Sequence, residues 1–323
     1  MVLTLHIHGV IDKSNFILSI RKSTLKNTLF TLLALLTFFT QGHSQEIESL
    51  RQKIEHIIHS KEAIVGVAIH GMEVKDTLSI NGQKHFPMQS VFKFPIALTI
   101  LSEIDKGNFT LDQKIDIKKS ELLPGLWSPI RKKCPEGGTL TIAEIIEYTV
   151  ALSDNVGCDV LLRLLGKPKA VEDYFLNLGF KDFAVKINEE TMQNNWDMQF
   201  LNWTTPIEAN KILLTFYENK INLLSKESYD FIWNIMKETK TGKNRLRGQL
   251  PQETIVAHKT GWSGKHKETG ITAAVNNIGI IFLPNGEYFT ISVFITESLE
   301  NFETNEKVIA DISRAAWDYF INK

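Results

Sequence analysis

A serine and a lysine lie three positions apart in the sequence, at Ser90 and Lys93. The stretch 91–104 has the apolar spacing of a helix, so both side chains would face the same way at its start. A serine hydroxyl needs a base to become a nucleophile, and a desolvated lysine can act as that base. Backbone N–H groups at the helix start could also stabilise an oxyanion. The pair predicts nucleophilic catalysis by Ser90, although a Ser-x-x-Lys spacing alone also fits a capped amphipathic helix.

Two further triplets follow this pair. Ser153-Asp154-Asn155 stands between two helical stretches, where a serine could relay a proton and an amide could hold a substrate amide. Lys259-Thr260-Gly261 ends a β-rich run, where a strand edge can align an extended substrate. Each triplet alone fits a turn or a helix cap, but the three in this order form the motif set of class A β-lactamases and penicillin-binding proteins.

The sequence resembles the class A serine β-lactamases, and within them the VEB-type and PER-type extended-spectrum branch, over nearly the whole mature chain. Besides the three motifs, the resemblance rests on Gln89 before the serine and on the segments 122–129, 188–193, 202–204 and 245–251. It implies hydrolysis of the β-lactam amide of penicillins and cephalosporins through an acyl-enzyme on Ser90. Antibiotic resistance and extended-spectrum cephalosporin activity are further implications, and no cofactor or metal is required.

The resemblance assigns the catalytic steps to four residues. Ser90 would be acylated, Lys93 and Ser153 would transfer protons, and Glu189 would activate the hydrolytic water. The loop reads Glu-Glu-Thr-Met-Gln at 189–193, where the common family pattern has Glu-x-x-Leu-Asn, so Glu190 is an alternative base. Gln193 would then take the role of the family's asparagine, which holds the hydrolytic water together with the glutamate.

The same resemblance predicts the substrate contacts. Asn155 would bind the acylamino side chain, while Lys259 and Thr260 would face the substrate carboxylate. An arginine common beside Lys-Thr-Gly is replaced here by Thr269-Gly270, and Arg245 is the proposed substitute, with a solvent-facing arginine as the alternative. The remaining predicted contacts are Gly261, Trp262, Ser263 and Trp127.

Two of these contacts are tryptophans. The resembling enzymes carry a small or hydroxylated residue where Trp262 stands. The oxyanion hole would use only the backbone N–H groups of Ser90 and Trp262, so the indole bears on substrate scope rather than on the reaction. Trp127 would form an aromatic wall opposite, with loop packing as the alternative.

The order of patterns predicts an α+β fold. Helical spacing at 47–60 is followed by a strand at 63–70, a mostly helical middle, and a final helix at 306–320. Three β-rich stretches, 254–258, 271–283 and 288–297, include a hairpin turn at 284–287. We expect an antiparallel sheet flanked by terminal helices, an inserted all-α lobe, and an active site in the cleft between them. The sheet lobe would take residues 45–88 and 252–323, and the helical lobe 89–251.

The first 44 residues have the pattern of a signal peptide with an upstream extension. Arg21, Lys22 and Lys26 precede an apolar run at 29–39, and small residues favour cleavage after Ser44. This run is shorter than the roughly 20 residues that cross a bilayer. We predict a periplasmic catalytic domain at 45–323 without a stable membrane anchor, a retained anchor being the alternative.

Composition favours a small-molecule substrate. The chain of 323 residues carries 36 basic and 37 acidic side chains, so there is no net field to attract nucleic acid. We expect β-lactams as partners, no nucleic acid, and a monomer. The two cysteines, Cys134 and Cys158, are expected to be free thiols.

Three other functions compete with this interpretation. A penicillin-binding D,D-peptidase shares the motifs but lacks a deacylating base such as Glu189. A penicillin-sensing receptor domain would need a fused membrane region. Zinc hydrolysis is disfavoured because the nine histidines show no metal-ligand spacing in the mature chain.

Overall fold

The structure is a computed structural model that describes residues 46–323. The chain divides into two units after Glu48, and the second, Ser49–Lys323, holds the fold and the candidate site. The predicted signal peptide and its cleavage after Ser44 lie outside the described residues. Within residues 46–323, no helix combines the length and the apolar character needed to cross a bilayer.

The central layer is an antiparallel sheet of five strands. The strands of the described chain are β1 Ile64–His70, β2 Thr77–Ile80, β3 Phe86–Pro87, β4 Lys114–Ile117, β5 Gly138–Thr141, β6 Phe183–Ala184, β7 Trp203–Thr204, β8 Val256–Trp262, β9 Val275–Phe282 and β10 Tyr288–Thr296. The sheet has the order β2-β1-β10-β9-β8, which leaves β8 at one edge. A turn at Gly286, whose φ is +87°, joins β9 to β10 as predicted.

The helices of residues 46–323 begin with α1 at 46–59. The others are α2 Lys93–Asp105, α3 Pro129–Lys133, α4 Ile142–Ala151, α5 Asn155–Leu164, α6 Pro168–Asn177, α7 Glu189–Asn194, α8 Pro206–Glu218, α9 Lys226–Lys237 and α10 Phe302–Ile321. Short 3₁₀ turns occur at Val74–Asp76, Gln89–Phe92, Lys119–Glu121 and Trp196–Leu201.

Different helices cover the two faces of the sheet. Phe289 and Ser292 lie three residues apart on β10, so their side chains point to opposite faces. Phe289 stacks on Phe320 of α10 with ring centroids 4.6 Å apart. Ser292 Oγ donates to Asn210 Oδ1 of α8 at 3.2 Å. The sheet is therefore a middle layer, and the predicted α+β fold is confirmed.

Helix α2 lies in the centre of the helical part. Every residue from Lys93 to Ser102 is buried, and the helix contacts α4, α5, α6 and α9. A helix that is apolar nearly all round is stable only in such a position. Its first residue, Lys93, is thereby placed in the interior.

The region predicted as helical, together with the segment just before it, also contains short strands. β3, β7 and β6 form a three-stranded sheet, and β4 pairs with β5. Strands of two to four residues are too short to show the alternation that identifies a strand in sequence. A second difference is that Ser90 lies in the 3₁₀ turn Gln89–Phe92, just before α2, rather than in the α-helix itself.

Candidate active site

Ser90 is held in a strained turn at the start of α2. The preceding Gln89 has φ of +47°, in the left-handed region that non-glycine residues rarely adopt. Its side-chain Nε2 donates to Gln199 Oε1 at 2.6 Å, which fixes the turn to the 3₁₀ segment that follows α7. The surrounding contacts hold this strained turn in place, and the turn presents Ser90 to the cleft.

The edge strand β8 packs closely against this turn. A Cβ atom on Gly261 would lie 2.5 Å from the Met88 carbonyl oxygen, so only glycine fits there. Asn276 on β9 donates through Nδ2 to the carbonyls of Pro87 at 2.8 Å and Met88 at 3.1 Å. These contacts lock the nucleophile turn to the end of the sheet.

Lys93 is fully buried, and its Nζ is surrounded by oxygen acceptors. Ser90 Oγ lies at 2.8 Å and Asn155 Oδ1 at 2.5 Å. The Ser153 carbonyl oxygen is at 3.0 Å, and Glu189 Oε1 is at 2.8 Å. An ammonium has three protons for these four oxygens, so the contacts compete. Lys93 therefore joins the nucleophile directly to a buried carboxylate.

Glu189 stands at the first position of α7 with 5% of its surface exposed. Its Oε1 is close enough to Lys93 for an ion pair, but no hydrogen-bond donor within residues 46–323 is well aligned with it. This oxygen can therefore accept a proton from a further donor in the cleft. The alternative base, Glu190, is exposed on the surface.

A carboxylate on α5 positions Glu189. Asp159 accepts the backbone N–H of Glu189 at 2.7 Å and that of Glu190 at 3.0 Å. Burial, and then the nearby Glu189 charge, raises the pKa of Asp159 to about 7. The start of α7 is thus tied to α5 by a group that titrates near neutral pH.

The Ser153-Asp154-Asn155 segment turns the chain between α4 and α5. Ser153 has φ of +59°, and the Asp154 carboxylate caps α5 by accepting the Gly157 N–H at 2.8 Å. Asp154 also accepts the Ile130 N–H at 2.7 Å. The buried aspartate thereby fixes the serine and the asparagine on either side of it.

Lys259 lies across from this turn on β8. Its Nζ is fully buried and donates to Ser153 Oγ at 3.0 Å. Burial, followed by the charge of Lys93, holds the pKa of Lys259 well below its usual range. Thr260 Oγ1 hydrogen-bonds Thr241 Oγ1 at 2.6 Å. The junction of sheet and helices thus holds one polar cluster, made of the lysines Lys93 and Lys259 and the serines Ser90 and Ser153.

The end of β8 offers a backbone donor to the cleft. The Ser263 N–H donates inward to the Ala274 carbonyl at 3.1 Å. N–H groups of successive strand residues point in opposite directions, so that of Trp262 points to the open edge of the sheet. This is the edge that contacts the turn carrying Ser90.

Arg245 is 4% exposed, so it is not the solvent-facing arginine of the alternative interpretation. Its Nε lies 3.1 Å from Glu306 Oε1 on α10. Its Nη1 donates to the carbonyls of Gly261 at 3.0 Å and Asn276 at 2.9 Å. Burial lowers its pKa, with Glu306 acting in the opposite direction. The guanidinium therefore supports β8 from behind.

A cleft of about 520 Å³ lies in front of these groups. The predicted residues that line it are Ser90, Asn155, Glu189, Gln193, Trp262 and Ser263, and Gln89 before the nucleophile lines it as well. Lys93, Lys259 and Arg245 lie buried beneath its walls. Trp127 is not among the lining residues; its Nε1 donates to the Leu152 carbonyl at 3.1 Å, and its ring is 55% exposed.

Several residues at the site were not predicted. Asp159 follows Asn155 by one helical turn, but a lone carboxylate on a helix usually faces solvent and gives no signal. The remaining unpredicted wall residues are Met192, Trp196, Gln199, Lys265, His266, Lys267 and Glu268. Trp196 meets His266 edge-on at 5.0 Å, so the loops after α7 and β8 approach each other across the cleft.

The described part of the chain contains no cluster of side chains suited to a metal ion. Cys134 and Cys158 are free thiols. Burial raises the pKa of Cys158 well above its ordinary value, which leaves it unreactive as a nucleophile.

The fold, and the contacts of the buried Lys93 with Ser90 and with the buried Glu189, are those expected of a serine hydrolase. The family model described as the beta-lactamase enzyme family matches residues 49–320, and the chain belongs to this family. The predicted resemblance to class A β-lactamases is confirmed.

The relatives refine this assignment. Beta-lactamase VEB-1 from Pseudomonas aeruginosa is 53% identical over 92% of this chain and 99% of its own length. Extended-spectrum beta-lactamase PER-1 from the same organism is 39% identical over 92% of this chain and 95% of its own length. The crystal structure of a beta-lactamase from Chitinophaga pinensis has a TM-score of 0.81 at 47% identity, covering 84% of this chain and 98% of that one.

Proposed function

We propose that this protein hydrolyses the β-lactam amide of penicillins and cephalosporins, including extended-spectrum cephalosporins, and so confers antibiotic resistance. The observation that carries the proposal is the position of Lys93, whose Nζ lies 2.8 Å from both Ser90 Oγ and Glu189 Oε1. One buried cation thus links a nucleophile to a carboxylate. Family membership and the extended-spectrum relatives support the substrate class.

In the acylation step, Ser90 Oγ attacks the carbonyl carbon of the β-lactam. Lys93, after passing a proton to Glu189, takes the serine proton. The N–H groups of Ser90 and Trp262 stabilise the oxyanion. When the C–N bond breaks, Ser153 gives its proton to the ring nitrogen and is resupplied by Lys259. The low pKa of Lys259, caused chiefly by burial, favours this release. Lys93 then returns a proton to Lys259 through Ser153 and recovers its own from Glu189, which is again a carboxylate before water attacks.

In the deacylation step, water attacks the ester on Ser90. Glu189 takes a proton from the water, and the proton returns to Ser90 as the ester bond breaks. Glu189 is favoured over Glu190 because it is buried beside Lys93, whereas Glu190 is exposed. Deacylation is the step that separates this activity from that of a penicillin-binding protein.

Substrate orientation follows from the walls of the cleft. Asn155 binds the acylamino side chain, and Gln193 takes the amide role beside Glu189 that holds the hydrolytic water. Thr260, Lys259 and Ser263 face the carboxylate. Arg245 adds positive charge behind Gly261, whose carbonyl it holds at 3.0 Å. Trp127 is exposed near the end of α4 and lies outside the lining of the cleft.

We further propose a periplasmic monomer, exported by a signal peptide at 1–44. The catalytic domain has a sheet lobe at 45–88 and 252–323 and a helical lobe at 89–251. A monomer is supported because one chain supplies every residue of the proposed site. Size-exclusion chromatography with light scattering of the mature protein tests this, and a stable dimer would contradict it.

The acyl-enzyme is tested with purified mature protein and Ser90→Ala. The wild type should hydrolyse a chromogenic cephalosporin repeatedly, and acid-quenched samples should carry the penicillin adduct on Ser90. Ser90→Ala should show neither turnover nor adduct, because no other described serine contacts Lys93 Nζ through its hydroxyl. An adduct mapped by mass spectrometry to a different serine would contradict the assignment.

A further inference from the structure

Trp262 is placed where the substrate carboxylate is expected. It is the last residue of β8 and follows Lys259-Thr260-Gly261 directly. Side chains two residues apart on a strand share a face, so Thr260 and Trp262 point the same way, about 6.7 Å apart along the strand. The indole therefore stands beside the group that receives the carboxylate under the proposed function.

The indole is supported from one side and open on the other. Its ring lies 4.8 Å from that of Phe302, at the start of α10, with planes inclined by 47°. The Arg245 guanidinium in turn lies 5.5 Å from the Phe302 ring centroid. Yet 53% of Trp262 is exposed, and the residue lines the cleft together with Ser90. An exposed aromatic on a rigid aromatic support is suited to stack on a flat ligand.

In a cephalosporin, the carbon that bears the carboxylate adjoins C3, which carries a variable substituent. With the substrate carboxylate near Thr260, a substituent on the adjoining C3 lies within reach of the Trp262 side chain, which shares a face of β8 with Thr260. In penicillins the corresponding carbon carries only two methyl groups and no flat substituent. The aromatic pair is thus positioned to distinguish cephalosporins by C3.

Charge decides which substituent fits. The cleft wall beside Trp262 carries Lys265 and Lys267 against Glu268, and Arg245 lies behind Gly261 with Glu306 as its partner, so this end of the cleft is positive. A positive field opposes a cationic substituent and tolerates a neutral ring. We propose that Trp262, supported by Phe302, is a specificity-determining platform that stacks neutral, flat heteroaromatic groups at C3; this inference rests on the proposed function.

The test compares three cephalosporins that share one acylamino side chain and differ at C3. They carry a methyl group, a neutral heteroaryl-thiomethyl group or a pyridinium-methyl group. kcat/KM is measured for the wild type, Trp262→Ser and Trp262→Phe, after melting curves show that each variant is folded. Differences in intrinsic reactivity among the three substrates cancel, because the kcat/KM of each substrate is compared between the wild type and the variants.

Trp262→Ser should lower kcat/KM for the heteroaryl substrate by about three- to tenfold, the range expected for one aromatic contact. The methyl substrate should change by less than about twofold, and Trp262→Phe should recover most of the loss. The loss of kcat/KM should appear as a higher KM rather than a lower kcat, because the stacking contact forms when the substrate binds, before the reaction begins.

Other outcomes overturn the inference. If all three substrates change equally, Trp262 only supports β8; if the heteroaryl substrate is hydrolysed faster by Trp262→Ser, the indole obstructs the cleft. A larger loss with the pyridinium than with the neutral ring would refute the charge argument. If the wild type hydrolyses none of the three cephalosporins, the proposed function fails and this inference with it.

Discussion

Replacing Asp159 by asparagine should change how the stability of the protein depends on pH. The folded-state pKa of Asp159 is about 7, against an ordinary 3.8, so the folded protein holds a proton that the unfolded chain has lost. The free energy of unfolding therefore falls as pH rises from about 4 to about 7. The difference of about three pKa units corresponds to at most about 4 kcal/mol.

The amide introduced by Asp159→Asn does not titrate, so this pH dependence should disappear in the variant. The amide nitrogen cannot accept a hydrogen bond, so the backbone N–H of either Glu189 or Glu190 loses its acceptor. This loss lowers the free energy of unfolding by about 1–3 kcal/mol at every pH. At about pH 4 the variant should thus be less stable than wild type. Toward about pH 8 this difference in the free energy of unfolding should shrink or reverse, because only the wild type loses stability as the pH rises.

Urea unfolding followed by tryptophan fluorescence at intervals of pH measures both effects. Asp173→Asn is the matched control, because Asp173 is a surface residue paired with Lys169 at 2.5 Å and should alter the curve little. Parallel stability curves for wild type and Asp159→Asn would refute the assigned pKa and its origin in burial.

Two further variants test the proton network and the buried arginine. Lys93→Ala should slow acylation by about a hundred- to ten-thousandfold and abolish the burst phase in stopped-flow traces, and full-speed acylation would remove Lys93 from proton transfer. Arg245→Ala should raise KM more than it lowers kcat, and it should reduce stability by about 3–5 kcal/mol because Glu306 is left buried without its partner. Glu306→Gln keeps the arginine and separates the effect on KM from the effect on stability, since KM should then change little. An unchanged KM in Arg245→Ala would mean that Arg245 has a structural role alone.

The sequence predicted the parts of the site that consist of local motifs. Ser90 and Lys93 could be paired because three-residue spacing places side chains on one side of a helix start, and Lys259 was recognised through its triplet. The sheet was equally accessible, since β8, β9 and β10 are long and strongly apolar.

Relations between distant segments could not be predicted. The surroundings of Arg245 depend on Glu306, which is 61 positions away and meets it only when α10 packs on β9 and β10. Asp159 resembles any helical carboxylate in sequence, and its elevated pKa arises first from burial in the fold and then from the charge of Glu189 beside it. The short strands β3, β6 and β7 have too few residues to carry a pattern.

The most direct test of the account is the fate of the acyl-enzyme in Glu189→Gln. This variant should still react with a penicillin, although more slowly than wild type because the amide cannot take the Lys93 proton. Product release should slow by about a hundred- to ten-thousandfold, so an intact-mass spectrum should show the adduct accumulating. Glu190→Gln is the matched control: its side chain is exposed, and the variant should turn over like wild type. If Glu190→Gln accumulates the adduct instead, the base is the next residue along; if neither variant does, Glu189 is not the deacylating base and the proposed mechanism is contradicted.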